Sequence, residues 1–225
     1  MSRNKKLLRA EILFCCYLYA VWAVIEGWLY PWLQSAVSNE YALTLLRDGL
    51  IKNLVWTLPA FLLIRHFSKE LLTDYRKLFS FHRGCWKYLA LAVPLAVLVV
   101  GGALFRNHGL VLSSSFHPSK LIIALLVGIS EESVFRGFLL NADMKRADTE
   151  KKQIPAYAVN MVLFLLIHFP IWLREGVFVS SITGFGFVTV MLLGLLFGWC
   201  LVQCKSIWPS VVLHSFYDLL IFLLV

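Results

Sequence analysis

Apolar residues run along the chain in seven long blocks, at about 10–33, 50–67, 87–105, 120–141, 154–173, 181–203 and 206–225. A helix crosses a bilayer with roughly 20 mostly apolar residues, so each block predicts a transmembrane helix. The second block is the weakest, because Lys52 and Asn53 sit at its start. Residues 34–49 are polar but carry Leu45 and Leu46, which predicts an interfacial helix, or an eighth span if the segment inserts. The expectation is an all-α polytopic transmembrane helical bundle of about seven to eight spans, forming a single integral-membrane domain over 1–225. The longest hydrophilic connections, about 66–86 and 142–153, are too short for a core of their own. The N-terminus has the basic start and apolar run of a signal peptide. The run continues to Leu33 without a small-x-small cleavage site, so an uncleaved first span is expected.

Composition agrees with the pattern. Hydrophobic residues make up 60% of the chain and charged residues 15%, whereas a soluble domain holds about 45–50% apolar and about 25% charged residues. The net charge of +8 would suggest nucleic acid in a soluble protein, but here the cations lie between the apolar blocks, where they act as topology signals. Fifteen Lys and Arg residues fall at the N-terminus and in the connections after blocks two, four and six, against five in the alternate connections. The bias predicts an integral membrane protein with a cytoplasmic N-terminus and no nucleic-acid partner; a bacterial plasma membrane is the expected location. Cys15, Cys16, Cys85, Cys200 and Cys204 show no CxxC pairing, and buried inert thiols are expected rather than structural zinc or a disulfide framework.

The fourth block reads LIIALLVGISEESVFRGFLLNA and is interrupted by Glu131, Glu132 and Arg136. One ionised group at the bilayer centre costs about 2.5–3.5 kcal/mol on insertion scales, so intramembrane charges are functional-site candidates. Glu132 and Arg136 are i, i+4 and share a helix face; Glu131 projects about 100° away, toward other partners. The fifth block carries His168 one turn after Phe164, and the seventh carries His214 and Asp218, again i, i+4. Carboxylates and imidazoles in three spans suit a general base toward water or a metal ligand set. The structural alternatives are a self-neutralising Glu132–Arg136 pair, packing histidines and a simple His214–Asp218 hydrogen bond. Glu26 reads as interfacial, and Lys52, Asn53 and Asn160 as boundary or packing residues. HExxH, GxSG and GxGD are all absent, which argues against zinc site-two, rhomboid and aspartyl intramembrane proteases.

Glu131-Glu132-Ser133-Val134-Phe135-Arg136 matches EExxxR, Phe164 to His168 matches FxxxH, and His214 to Asp218 matches HxxxD/N. In order and spacing these motifs resemble the CAAX protease and bacteriocin-processing family (CPBP, or Abi), which includes the type II prenyl-protein endopeptidases. The likeness covers roughly 118–225 as a catalytic core. It implies an intramembrane endopeptidase in which Glu131 and His168 hold and activate water, Glu132 supports them, Arg136 orients the acidic motif, and His214 with residue 218 stabilises the oxyanion. Asp218 departs from the Asn often found there; an ionised Asp accepts hydrogen bonds only, so it must be protonated or orient His214. The family has been read as zinc-dependent and as a metal-free glutamate protease. On the first reading Glu131, His168 and His214 are the metal ligands and Zn the cofactor. The implied partners are the lipid bilayer and a membrane-associated peptide or protein substrate, prenylated or a maturing bacteriocin or signal peptide. The alternatives are a non-catalytic scaffold or bacteriocin-immunity protein and, disfavoured by the lack of paired repeats, a proton-coupled transporter.

Overall fold

A computed structural model describes residues 3–147 and 149–224. Among them the chain is helical without strands, and a long helix lies on each of the seven apolar blocks. We label these α1 (Arg3–Ala36), α2 (40–66), α3 (Arg83–Asn107), α4 (119–146), α5 (Glu150–Arg174), α6 (Gly186–Cys204) and α7 (Trp208–Leu224). By length and composition α1, α3, α5 and α6 can each cross a membrane, and the 17-residue α7 is apolar but shorter. α2 and α4 carry Lys52 and the Glu131–Glu132–Arg136 group within their length. The segment expected at the interface does not form a separate span: residues 40–49 extend α2 at its N-terminus, where Asn39 Oδ1 accepts the Ala42 N–H as a helix cap.

α4 is the axis of the bundle. Every residue from Ser130 to Ala142 is buried, as a helix that is apolar nearly all round requires. Its contact with α7 depends on Gly128, where a Cβ would stand 2.3 Å from Ser215 Oγ and 3.1 Å from the Val211 carbonyl oxygen. Small residues of this kind let membrane helices approach closely. Aromatic contacts fill the other side: Phe14 of α1 meets Phe138 edge-on at 5.6 Å, and Trp22 meets Trp56 at 4.7 Å.

Polar contacts sort the connections into two ends. Arg3 pairs with Glu70 at 2.9 Å, Arg146 holds Glu11 through two bonds of 2.9 and 2.6 Å, and the Ile207 N–H donates to the Leu78 carbonyl. The N-terminal end of α1, the loop after α2, the end of α4 and the turn between α6 and α7 therefore share one end, the end that collects the basic residues. (Asp148, in the 142–153 connection, lies outside the described residues.) At the opposite end Arg174 closes on Glu26 at 2.6 Å and the Ser113 N–H reaches the Leu223 carbonyl at 2.8 Å. Glu26 is thus fully buried in an ion pair rather than interfacial, because α1 turns it inward to a cation 148 residues away in sequence.

The cysteines also depart from expectation. Cys85 at the start of α3 and Cys204 at the end of α6 are disulfide-bonded, while Cys15, Cys16 and Cys200 are free. Their separation of 119 residues hides the pairing from any local spacing rule.

Gly128→Val should drive α4 from α7, since the branched side chain meets backbone as well as Ser215. Overpacking of this kind costs about 1–3 kcal/mol. Thermal unfolding of the detergent-purified variant should show a clear drop, and an unchanged midpoint would mean that the α4–α7 crossing is not close.

Candidate active site

The site is assembled by four helices. α4 supplies Glu131, Glu132 and Arg136, α5 supplies Phe164 and His168, α7 supplies His214 and Asp218, and α2 supplies Lys52. Two of these helices are wound irregularly where they meet. Ser133–Leu140 in α4, with Leu45–Ile51 and Asn53–Thr57 in α2, makes wider i→i+5 turns. Such turns occur frequently at functional sites. A carbonyl displaced in the wide α4 segment is satisfied from outside: Asn160 Nδ2 donates to Phe135 O at 2.7 Å. Asn160 is therefore a packing residue, as its sequence context suggested.

Glu132 is fully buried and accepts two hydrogen bonds on Oε1, from Arg136 at 3.1 Å and from His214 Nδ1 at 2.7 Å. Arg136, equally buried, sends its other terminal nitrogen to the Gly194 carbonyl of α6 at 3.0 Å. Gly194 is required by proximity, since a Cβ there would stand 3.4 Å from that nitrogen and 3.2 Å from the Phe164 ring. The guanidinium lies 4.1 Å over Phe164 and 5.6 Å from the centre of Phe197. His214 stacks on Phe197 at 5.1 Å. The pair expected from i, i+4 spacing is present, and it belongs to a larger set of contacts that fixes His214.

Glu131 faces elsewhere, as the 100° offset required. Its Oε1 accepts from Lys52 Nζ at 2.6 Å, and its Oε2 lies 3.7 Å from His214 Nε2. Lys52 is a site residue that sequence reasoning missed. It is only 4% exposed, and its ammonium sits 4.5 Å over Trp56 and 5.4 Å over Trp22. The signal that could have found it is the same one that singled out Glu131: a lone cation within a predicted span needs a buried partner. Asn53 beside it bonds to the carbonyls of Asp48 and Gly49 and stays within its own helix.

His168 lies where α5 is interrupted, between the segments ending at Leu166 and starting at Phe169, with Pro170 just beyond. His168 Nδ1 is 2.8 Å from the Phe164 carbonyl. A carbonyl only accepts, so Nδ1 carries the hydrogen and Nε2 presents a lone pair. Asp218 Oδ2 lies 3.6 Å from His214 Nε2, beyond a direct hydrogen bond.

Two cavities flank this cluster. One of about 300 Å³ is lined by Lys52, Glu131, His168, His214 and Asp218, with Trp22 and Trp56 among the walls. The other, about 490 Å³, shares His168, His214 and Asp218 and extends past Tyr217 and Thr189 to Arg106. The cavities share His168, His214 and Asp218, so a chain passing between them would meet those side chains. All six sequence-proposed site residues, Glu131, Glu132, Arg136, His168, His214 and Asp218, meet in this one region.

Residues 113–220 match the family described as Type II CAAX prenyl endopeptidase Rce1-like. No curated protein and no solved structure matches the chain. The matched segment contains α4 to α7 up to Leu220, and so excludes Lys52 and the rest of α1 to α3.

Removing one partner from a buried ion pair typically costs about 3–5 kcal/mol. Lys52→Met should therefore lower the thermal midpoint markedly, and Lys52→Met combined with Glu131→Gln should regain most of it. Equal or additive losses would show that the two side chains are not coupled.

Proposed function

The chain belongs to the CAAX protease family through its Rce1-like segment, and from that premise we propose that it is an intramembrane endopeptidase acting through the Glu131–His168–His214 cluster. The observation that carries this reading is the division of labour between the two acids. Glu132 is committed to Arg136 and His214, whereas Glu131 lines a cavity shared with both histidines. A base and a group that orients an oxyanion donor need different environments, and the two carboxyls have them.

In the proposed reaction, water bound between Glu131 and His168 Nε2 gives a proton to Glu131 as its oxygen attacks the scissile carbonyl. General-base assistance of this kind contributes about 10²–10⁴-fold. The carbonyl oxygen takes up the negative charge and accepts a hydrogen bond from His214 Nε2–H. Glu132 orients that donor by accepting from Nδ1. Positioned donors of this type are worth about 2.7–4 kcal/mol of barrier. As the tetrahedral species collapses, the C–N bond breaks and Glu131 returns the proton to the leaving amine. Lys52 holds Glu131 in place between turnovers. Asp218, opposite His214 Nε2, orients that ring.

A Zn ion held by Glu131, His168 and His214 is the other chemistry the residue types allow. The donor set argues against it. Glu131 Oε1 already carries the Lys52 ammonium, and a second cation on the same carboxylate would face that charge directly. Among the described residues these three groups also do not bring ligand atoms within 4.8 Å of one another. The proposed reaction therefore uses no metal.

The substrate we propose is a membrane-associated peptide or protein segment that enters one cavity and leaves by the other. Prenylated substrates accord with the family. Bacteriocin or signal-peptide maturation would use the same site. The end that gathers the basic loops is placed in the cytoplasm by the charge bias. Single cysteines in a Cys-less background at Tyr75 and Leu112 should then label from opposite faces, with 75 protected in intact cells; labelling of 75 from outside would invert the topology.

The activity itself is tested with Glu131→Gln combined with Lys52→Met, which removes the base without leaving the Lys52 ammonium buried and unpaired. Cleavage of membrane-protein substrates, followed by comparing fragments from cells with wild type and variant, should fall at least 100-fold while folded protein stays abundant. Undiminished cleavage, or a loss that tracks abundance, would leave the acids with a structural role and favour a non-catalytic scaffold.

A further inference from the structure

The end of the bundle that collects the basic loops holds a second cluster of reactive side chains, remote from the acids. Cys85 is fully buried and Cys204 is 4% exposed. Their sulfurs are bonded, and a third group stands beside them. His82 Nε2 is 3.9 Å from Cys204 Sγ and 2.9 Å from the Cys204 carbonyl oxygen. One ligand atom from each of His82, Cys85 and Cys204 lies within 4.8 Å of the others. The imidazole folds back over Gly84, where a Cβ would stand 3.2 Å from His82 Nδ1, so a larger residue at 84 would displace the ring.

The surroundings are cationic. Lys205 follows Cys204 directly, and Lys77 is its neighbour. Crowded positive charge favours a thiolate over a thiol. The loop itself is held firmly: Ser206 Oγ donates to the Ser80 carbonyl at 2.6 Å and Trp208 Nε1 to the Phe79 carbonyl at 2.9 Å. These bonds fasten the loop after α2 to the turn that begins α7, the helix carrying His214.

A disulfide uses two of the three groups and leaves the imidazole bonded only to the Cys204 carbonyl. A thiophilic cation uses all three. Zn²⁺ binds thiolate at about 2.3 Å and imidazole at about 2.0–2.1 Å in a tetrahedron, which spaces ligand atoms about 3.3–3.8 Å apart. The His82–Cys204 separation of 3.9 Å is slightly longer than that spacing, so the ring must close in a little and the two sulfurs must part.

We propose that His82, Cys85 and Cys204 form a Zn²⁺ site in the reduced protein, with the disulfide as its oxidised, metal-free form. A dithiol reductant supplies two electrons to the S–S bond and is itself oxidised to a disulfide, and each released sulfur gains a proton. Zn²⁺ binding then expels both thiol protons; the His82 ring gives up its hydrogen bond to the Cys204 carbonyl, its hydrogen moves from Nε2 to Nδ1 so that Nε2 offers a lone pair, and water takes the fourth position. On the sidedness proposed above, this end meets the reducing cytoplasm, where thiols persist and disulfides are rare, so the metal form is the resident one. Either form keeps the α2–α3 loop clasped to the start of α7.

The test uses the full chain in detergent, reduced with a phosphine and titrated without oxygen with Co²⁺, a spectroscopic stand-in for Zn²⁺. Thiolate-to-cobalt absorption should appear, saturate at one ion per chain and vanish when Zn²⁺ is added. Cys85→Ser should abolish it, and His82→Ala should weaken binding tenfold or more. The triple variant Cys15→Ser, Cys16→Ser, Cys200→Ser should keep the signal, as should Glu131→Gln, because no thiol lies among the proposed catalytic residues. Absence of the band in reduced wild type overturns the proposal and leaves a disulfide alone. A band that survives Cys85→Ser or disappears in the triple variant overturns it too, by placing the metal elsewhere.

Discussion

The structure is organised by the need to match charges buried among apolar helices. Lys52, Glu131, Glu132, Arg136 and His214 are each less than a tenth exposed, and none can be left alone in that setting at reasonable cost. They are arranged as two linked pairs: Lys52 with Glu131, and Arg136 with Glu132, the latter extended to His214. The pairing draws α2 and α7 onto α4, and Arg136 adds α6 through the Gly194 carbonyl. Helix association in a bilayer has little hydrophobic drive, so this polar set and the close α4–α7 approach at Gly128 specify which helices meet.

The same contacts divide the two acids by role. Glu132 is held through Oε1 by two partners, Arg136 and His214. Glu131 is held by one flexible ammonium at the wall of a cavity, and so remains able to act on a bound molecule. Phe164 stands between these parts. Its ring lies under Arg136, edge-on to His168 at 5.1 Å and to His214 at 6.0 Å, and its carbonyl fixes the His168 tautomer. One residue of the FxxxH motif therefore acts through both its ring and its backbone, which explains why the motif includes an aromatic residue at that position.

α7 is anchored twice. Near its start, the turn after Cys204 is bonded to the loop after α2; deeper in, His214 is bonded to Glu132.

By itself the sequence determined the helical class and the positions of the seven helices, and it singled out six polar residues that the fold brings into one region. These rest on local physics: apolar block length sets span length, and a charge inside a block marks a place where protein must replace lipid. The i, i+4 spacing also placed Glu132 with Arg136 and sent Glu131 to another face. Only the tertiary structure decided the partners. Lys52 is 79 residues from Glu131, Glu26 is 148 from Arg174, and Cys85 is 119 from Cys204. A buried charge announces that a partner exists, but its identity depends on which helices pack together and on how they are wound. The interruption of α5 at His168 and the wide turns of α4 are likewise products of packing, since each requires neighbours to satisfy displaced backbone groups in a medium that supplies no water.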